Sequence, residues 1–373
     1  MPERAIVIGA GMVGAACADV LARLGWAVTV VEAGPVGGGA TAAGMGHLVV
    51  MDDSPAQLAL TARSLELWSE LAPELPAAAE YRICGTLWVA NDAEELAGVG
   101  PKQAAYREAG RETELLDAHE LALREPALRA GLAGGLRVPG DAVVYAPVAA
   151  KFLLERSGAT LMRARVTGLT DGGVRLEDGR TLSADLTVLA SGIQATELLP
   201  GLPLRARRGQ LLITERGGLR INHQLVELGY LKSAHGGDED SVAFNVQPRP
   251  TGQLLIGSSR QFGSVGTEID WPLLRRMLRR AAEYLPGLQD ASALRVWTGL
   301  RAASPDHLPV LGFSPERPGV YLAVGHEGLG ITTALGTAEL LMAQLSGHPS
   351  PLTAHDFGPG RPGLHPGRAV AHA

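Results

Sequence analysis

The stretch RAIVIGAGMVGAACADVLARLGWAVTVVEAG, residues 4 to 34, leaves this part of the chain few ways to fold. An apolar run, Ala5 to Ile8, reads as a buried strand and stops at three glycines, Gly9, Gly11 and Gly14. A helix then runs to near Gly25, and a second strand, Val28 to Val31, ends on Glu32. In such a unit the first glycine permits a tight turn and the second lets backbone amides approach a pyrophosphate at the positive end of the helix. The third permits close helix–strand packing. The neighbouring Met12 and Val13 belong to the same amide cradle, with Ala33 beside the acid. Glu32 is placed to accept from a ribose 2'-hydroxyl and would repel a 2'-phosphate. Strand, turn, helix, strand and acid together predict a dinucleotide site that suits NAD or FAD better than NADP.

A chain of 373 residues exceeds a comfortable single core, so two domains along a shared seam are expected. Glycine, at 48 residues, is well above its average share of about 7%, which fits backbone approaching a large ligand. A net charge of -6 argues against nucleic acid or anionic lipid as the main partner. Cys17 and Cys84 lie far apart without His or Cys at ligand spacing, so neither a disulfide framework nor a metal site is expected, and a reducing, cytoplasmic setting fits. Residues 5 to 24 have signal-peptide-like hydropathy but no basic leader, and they carry Asp19, so they read as folded structure. No run of 18 apolar residues suggests a membrane span.

After Glu32, AGPVGGGATAAGMGHLVVMDD is too small and glycine-rich for a packed helix or strand and reads as backbone laid along a ligand. Ser54 and Pro55 open a helix in cap and first-turn positions. CGTLWVA reads as a strand, Ala93 to about Arg129 as broken helix, and GGLRVPGDAVVY as short strands. A helix from Pro147 to Gly158 precedes alternating strands that turn at Asp178–Gly179. DLTVLASG, RRGQLLIT, SVAFNVQPRP and GQLLIGSSRQFG supply further strands. WPLLRRMLRRAAEYLP is an amphipathic helix with Arg275, Arg276, Arg279 and Arg280 opposite its apolar face; a solvated face is the first expectation and a docking surface the second. The Pro- and Gly-rich tail, 358 to 373, is expected to be unstructured.

A second glycine loop, GHEGLGITTALGT, runs into a helix late in the chain. Together with the opening motif and WTGLRAASPDHLPVLG, it makes the chain resemble the D-amino-acid oxidase superfamily of FAD amine oxidoreductases over nearly its whole length. TAAGMGHLVVMDDSPAQLAL and NVQPRPTGQLLIGSSRQFG resemble the D-hydroxyproline dehydrogenase branch most. The resemblance implies an α/β fold: a FAD-binding Rossmann-type domain of the GR2-like kind, with a second α+β substrate domain built on an antiparallel sheet. The implied partition gives 1–80, 145–210 and 296–357 to the FAD domain, and 81–144 and 211–295 to the substrate domain.

The resemblance also implies site residues. Gly9, Gly11, Gly14 and Glu32 hold the ADP half of non-covalent FAD; Thr41, Ala42, Gly44 and Met45 pass the pyrophosphate and flavin edge; Val166 meets the adenine, and Gly192 follows the last buried strand. Gly325, Gly328, Leu329, Gly330, Ile331 and Thr332 present amides to the isoalloxazine, so the two glycine loops serve one cofactor. Arg301 matches the arginine that pairs with a substrate carboxylate, which a guanidinium fork does bidentately. His47, Asn245 and Tyr230 are the other candidates for substrate contact. Gly299 stands where sarcosine oxidases attach flavin through cysteine. Glycine oxidase carries tyrosine in place of Asn245 and arginine in place of Gly328, which points beyond glycine as substrate.

The implied chemistry is hydride transfer from the α-carbon of a small D-amino or imino acid, with D-hydroxyproline or D-proline favoured and the electron acceptor unassigned. A glycine- or sarcosine-type oxidase is the alternative within that chemistry. A flavin subunit of a hetero-oligomeric amine dehydrogenase, an NAD-dependent dehydrogenase, and homo- or hetero-oligomerisation also stay open on the sequence.

Overall fold

The computed structural model describes residues 2–229, 240–263 and 266–364. Tyr230 lies outside them.

The opening unit forms as its pattern demands. Strand Arg4–Ile8 lies at the centre of a six-stranded sheet, with Ala27–Glu32 and Thr160–Arg163 to one side and Leu186–Leu189, Val320–Val324 and Val310–Phe313 to the other. All pair in parallel except Val310–Phe313, which hairpins back antiparallel. A parallel sheet is covered on both faces, so its central strands are largely apolar. Ala5 and Val7 enter one core with helices Met12–Arg23, Ala146–Ser157 and Ala334–Ser346. Ile6 and Ile8 enter another with Leu169, Val174 and Leu176 of the three-stranded meander Val166–Thr170, Gly173–Leu176, Thr181–Ser183.

The second large sheet has eight strands in the order Ala293–Ala303, Arg205–Thr214, Leu254–Phe262, Ser241–Pro248, Gln224–Glu227, Thr86–Ala90, Gly134–Val138, Glu114–Asp117. It is antiparallel but for the pairing of Gln224–Glu227 with Thr86–Ala90. The basic helix, Trp271–Tyr284, covers one face of this sheet, burying Leu273, Leu274, Met277 and Ala281 against Phe244, Val246 and Ile256. Two of its arginines are not simply solvated: Arg280 closes on the buried Glu227 and also pairs with Glu283, and Arg276 Nη2 donates to the Asp240 carbonyl at 3.4 Å.

Several expectations need correction. The glycine-rich run after Glu32 contains a short helix, Gly39–Ala43, capped by an extended Gly38, and a two-residue strand, His47–Leu48. The broken helix expected over 93–129 is interrupted by the edge strand Glu114–Asp117, whose partner Gly134–Val138 overrides local helix propensity. Boundaries drawn at 210 and 296 fall inside Arg205–Thr214 and Ala293–Ala303, which pair with each other in the antiparallel sheet. The tail is folded as far as Leu364: Arg361 is buried and donates to both carboxylate oxygens of Asp306 at 2.6 and 2.8 Å, and to the carbonyls of Leu308 and Phe357 at 2.8 Å. Four satisfied donors explain why a Pro- and Gly-rich segment packs.

Among the described residues no helix is long and apolar enough to cross a membrane. Both cysteines are buried and free.

Candidate active site

A cavity of about 800 Å³ runs from the carboxyl end of the parallel sheet to the face of the antiparallel sheet. At its first end the chain turns sharply at Gly9, whose φ is 103°; a Cβ there would stand 2.7 Å from the carbonyl oxygen of Ala190. A Cβ on Gly14 would collide with the carbonyl oxygen of Gly9, so this glycine packs the helix onto the strand and does not line the cavity. Gly11, at the cap position, has no side chain to cap the helix, which leaves amino-terminal N–H groups beyond Met12 for a ligand, and the helix dipole favours an anion there. The Met12 amide donates to Thr41 Oγ1 at 3.0 Å. Glu32 accepts from the Ala10 and Gly34 amides, each at 2.6 Å, so its carboxylate is fixed at the cavity wall with further lone pairs to offer.

Gly11, Met12, Val13, Ala33, Thr41, Gly44, Met45, Val166 and Gly192 all line the cavity. Ala42 does not: it is exposed on the outer side of the short helix. In the second loop Gly325, Gly328, Leu329, Gly330 and Ile331 line it. Thr332 sits behind, buried, with its hydroxyl donating to the His47 carbonyl at 2.9 Å. The two glycine loops thus face a single cavity.

At the far end Arg301 and Arg207 stand opposite each other on neighbouring strands and so share one face of the sheet. Gly209 makes room for the Arg301 guanidinium; a Cβ there would come within 2.6 Å of Nη2. Arg301 Nη1 donates to the Ser259 carbonyl at 3.2 Å, which aims the fork along the cavity wall. Gly328 leaves space beside Arg301: its Cβ would meet only Arg301 Cδ, at 4.0 Å. Apolar walls come from Met45, Met51, Trp88, Leu211 and Val226.

Polar atoms on these walls await a ligand. Asn245 Oδ1, Ser258 Oγ, Ser191 Oγ and His47 Nε2 are buried with no hydrogen-bond partner among the described residues, and all four residues line the cavity. Burial holds His47 down at about 4, so its ring is neutral at physiological pH. His326, also lining the cavity, is brought by burial to about 3 and bonds Thr337 Oγ1 at 2.9 Å.

Sequence reasoning missed His326, His307, Glu327, Arg207 and Arg260. Glu327 lies between Arg207 and His307 Nδ1, the latter at 3.1 Å, while Arg260 and Asp53 line the same end. Only strand register brings Arg207 opposite Arg301, although the two-residue spacing of Arg207 and Gly209 marks them as sharing a face.

These residues fit an FAD. The turn demands glycine, the uncapped helix faces the cavity, and a long ligand can span both loops. A side chain at Gly299 would collide with the Cβ of Ala43, which leaves no room for a flavin-linking cysteine.

Comparison with known proteins agrees with this geometry. A family profile described as FAD dependent oxidoreductase matches residues 4–345. A glycine oxidase from Geobacillus kaustophilus strain HTA426 is 29% identical over 91% of both chains. A D-amino acid dehydrogenase from Methylobacterium nodulans is 26% identical over 95% of this chain and 97% of its own. The crystal structure of the G. kaustophilus glycine oxidase superposes with a TM-score of 0.84 at 26% identity, covering 95% of this chain and 98% of that one. With its glycine cradle, its two-loop cavity and a profile match over most of its length, the chain belongs to the FAD dependent oxidoreductase family and is an enzyme of that family.

Proposed function

We propose that the protein oxidises a small D-amino or imino acid, with D-hydroxyproline or D-proline favoured, at the α-carbon. The observation that carries this reading is Arg301: a guanidinium seated over Gly209, on the wall of the cavity that both glycine loops face. FAD, when bound, would supply the oxidising chemistry as the hydride acceptor.

The chain's own residues bind and orient. Arg301 takes the substrate carboxylate as a charge-assisted pair, which fixes the α-carbon in one place. Asn245 Oδ1 is an acceptor without a donor and suits the substrate N–H; Ser258 Oγ suits a carboxylate or ring hydroxyl. Met45, Trp88 and Leu211 exclude water around the ring. In the first loop Gly9, Gly11 and Glu32 would hold the pyrophosphate and ribose; in the second, Gly325 to Ile331 would line the flavin ring. The parallel sheet carries the cofactor and the antiparallel sheet the substrate.

The space beside Gly328 favours a ring-bearing substrate over glycine, since a longer side chain there would occupy the flank of Arg301. A glycine- or sarcosine-type oxidase is the second reading, favoured by the relatives named glycine oxidase. Anaerobic mixing of the yellow protein with a panel of D- and L-amino and imino acids tests both. Loss of visible flavin absorbance is expected fastest with D-hydroxyproline or D-proline. Fastest bleaching by glycine or sarcosine would favour the second reading, and none with any amine would refute both.

A further inference from the structure

Next to Arg301 stands a run of side chains that substrate binding alone does not use. Glu327 and His307 both hold left-handed backbone, with φ of 48° and 61°, and both line the cavity. Such conformations are uncommon for residues with a Cβ, so their surroundings must hold them in place. They do. Arg361 clamps Asp306, the residue before His307, through both carboxylate oxygens and also binds the Leu308 carbonyl on the other side. Glu327 gives one oxygen to Arg207 and the other to His307 Nδ1 at 3.1 Å.

The pairing fixes the ring's tautomer. Burial pushes Glu327 up, but the His307 hydrogen bond and the nearby Arg207 and Arg260 outweigh it and hold the carboxyl down at about 2. An ionised carboxylate only accepts, so a neutral His307 carries its proton on Nδ1 and its lone pair on Nε2. The ring side chain is 40% exposed, so it exchanges protons with water. A base, an orienting carboxylate and a cation behind it are the parts of a general-base relay.

We propose that His307 is the proton acceptor for the substrate's ammonium group. An amine has a nitrogen lone pair only after losing that proton. In the step, an N–H bond of the ammonium breaks and its electron pair stays on the substrate nitrogen. A new N–H bond forms at His307 Nε2, the positive charge passes to an imidazolium paired with Glu327, and the proton then leaves to water. The assignment rests on an amino or imino acid being the substrate.

Among the described residues, the charged groups around His307 and its partner Glu327 are Arg207, Arg260 and Asp53. The Glu327 hydrogen bond raises His307 above its ordinary value; burial and Arg207 oppose, and Asp53 assists. The neutral, proton-accepting ring therefore gains population as pH rises through that raised value, and kcat/KM climbs with it. Removing the Glu327 charge lowers the value and moves the climb to lower pH.

The test uses the flavin-loaded enzyme and the substrate that bleaches it fastest. In H307N, whose side chain tolerates left-handed backbone, kcat/KM is expected to fall by about 100-fold and the acid limb to disappear. In E327Q the limb is expected at lower pH. Independently of turnover, the imidazole resonance lost in H307N is expected to titrate above about 6.5 and to move down in E327Q. A limb that persists in H307N belongs to the substrate amine and overturns the proposal alone. So does a His307 resonance indifferent to E327Q. Absence of bleaching by every amine overturns both this assignment and the reading it rests on.

Discussion

The two ends of the cavity are built by different means. The end proposed for the pyrophosphate comes from one contiguous unit, Arg4 to Gly34, and is built of backbone: amides at a helix start, a turn only glycine can make, and a single acid, Glu32, held by two amides. The end proposed for the substrate is assembled from separate elements and is built of side chains: Arg207, Arg260 and Arg301 on three strands, His307 and Glu327 on two turns, Asn245 on a fourth strand. A backbone site tolerates little change at its glycines and much at its side chains. A side-chain site has the reverse sensitivity, and only it should respond to pH near neutrality.

The strongest break falls on the backbone end. Gly14→Val is expected to abolish FAD binding, because the new side chain would meet the Gly9 carbonyl and pry helix from strand; a yellow protein of ordinary flavin content would contradict this. Arg301→Ala is expected to leave flavin content intact and lower kcat/KM by about 30- to 1000-fold, since losing one partner of a buried charge pair costs about 2 to 4 kcal/mol. Near-normal kinetics would remove Arg301 from the site. Glu32→Gln is milder, because the amide oxygen can keep one of the two backbone donors; FAD is expected to bind about 5- to 10-fold more weakly, about 1 kcal/mol, by fluorescence titration.

The smallest effect sharpens the contrast in pH response. Asp141 lies behind the wall at Val49–Met51, with Oδ1 accepting from the Val50 amide at 3.4 Å and Oδ2 buried with no hydrogen-bond partner among the described residues. Burial pushes it up to about 7. A raised carboxyl favours the protonated form when folded, so the stability it allows is present below its ordinary value and is lost as pH climbs toward 7. The melting temperature of Asp141→Asn relative to the unsubstituted protein is expected to rise between pH 5 and 7 and level off above. A difference independent of pH would show that this carboxyl does not titrate there.

The same contrast explains what was legible in the sequence. Gly9, Gly11 and Glu32 could be read directly because their geometry is set within one βαβ unit, and GLGITT announced itself by the same small-residue grammar. Arg301 was reached through a resemblance, and its seat over Gly209 needed a partner strand ninety-odd residues away in sequence. Glu327 lies within a glycine motif, and nothing local distinguishes a loop acid that binds Arg207 from a solvated one. Ala42 shows the opposite error, since a motif can include a position that faces outward, whereas Gly14 serves the close packing that its place in the motif predicts. Compositional reading failed for 358–364 because it cannot see a distant acid such as Asp306.

The Arg361 clamp also redefines where this catalytic body ends. A shortened version stopping at Phe357 would keep every strand of both large sheets and yet lose the brace on the turn that carries His307. Leu364, just after the brace, is buried in the core beneath the meander. Any truncation or fusion made near this terminus therefore has to keep Arg361 and Leu364 in the chain, so that the turn's geometry stays with the residues that set it.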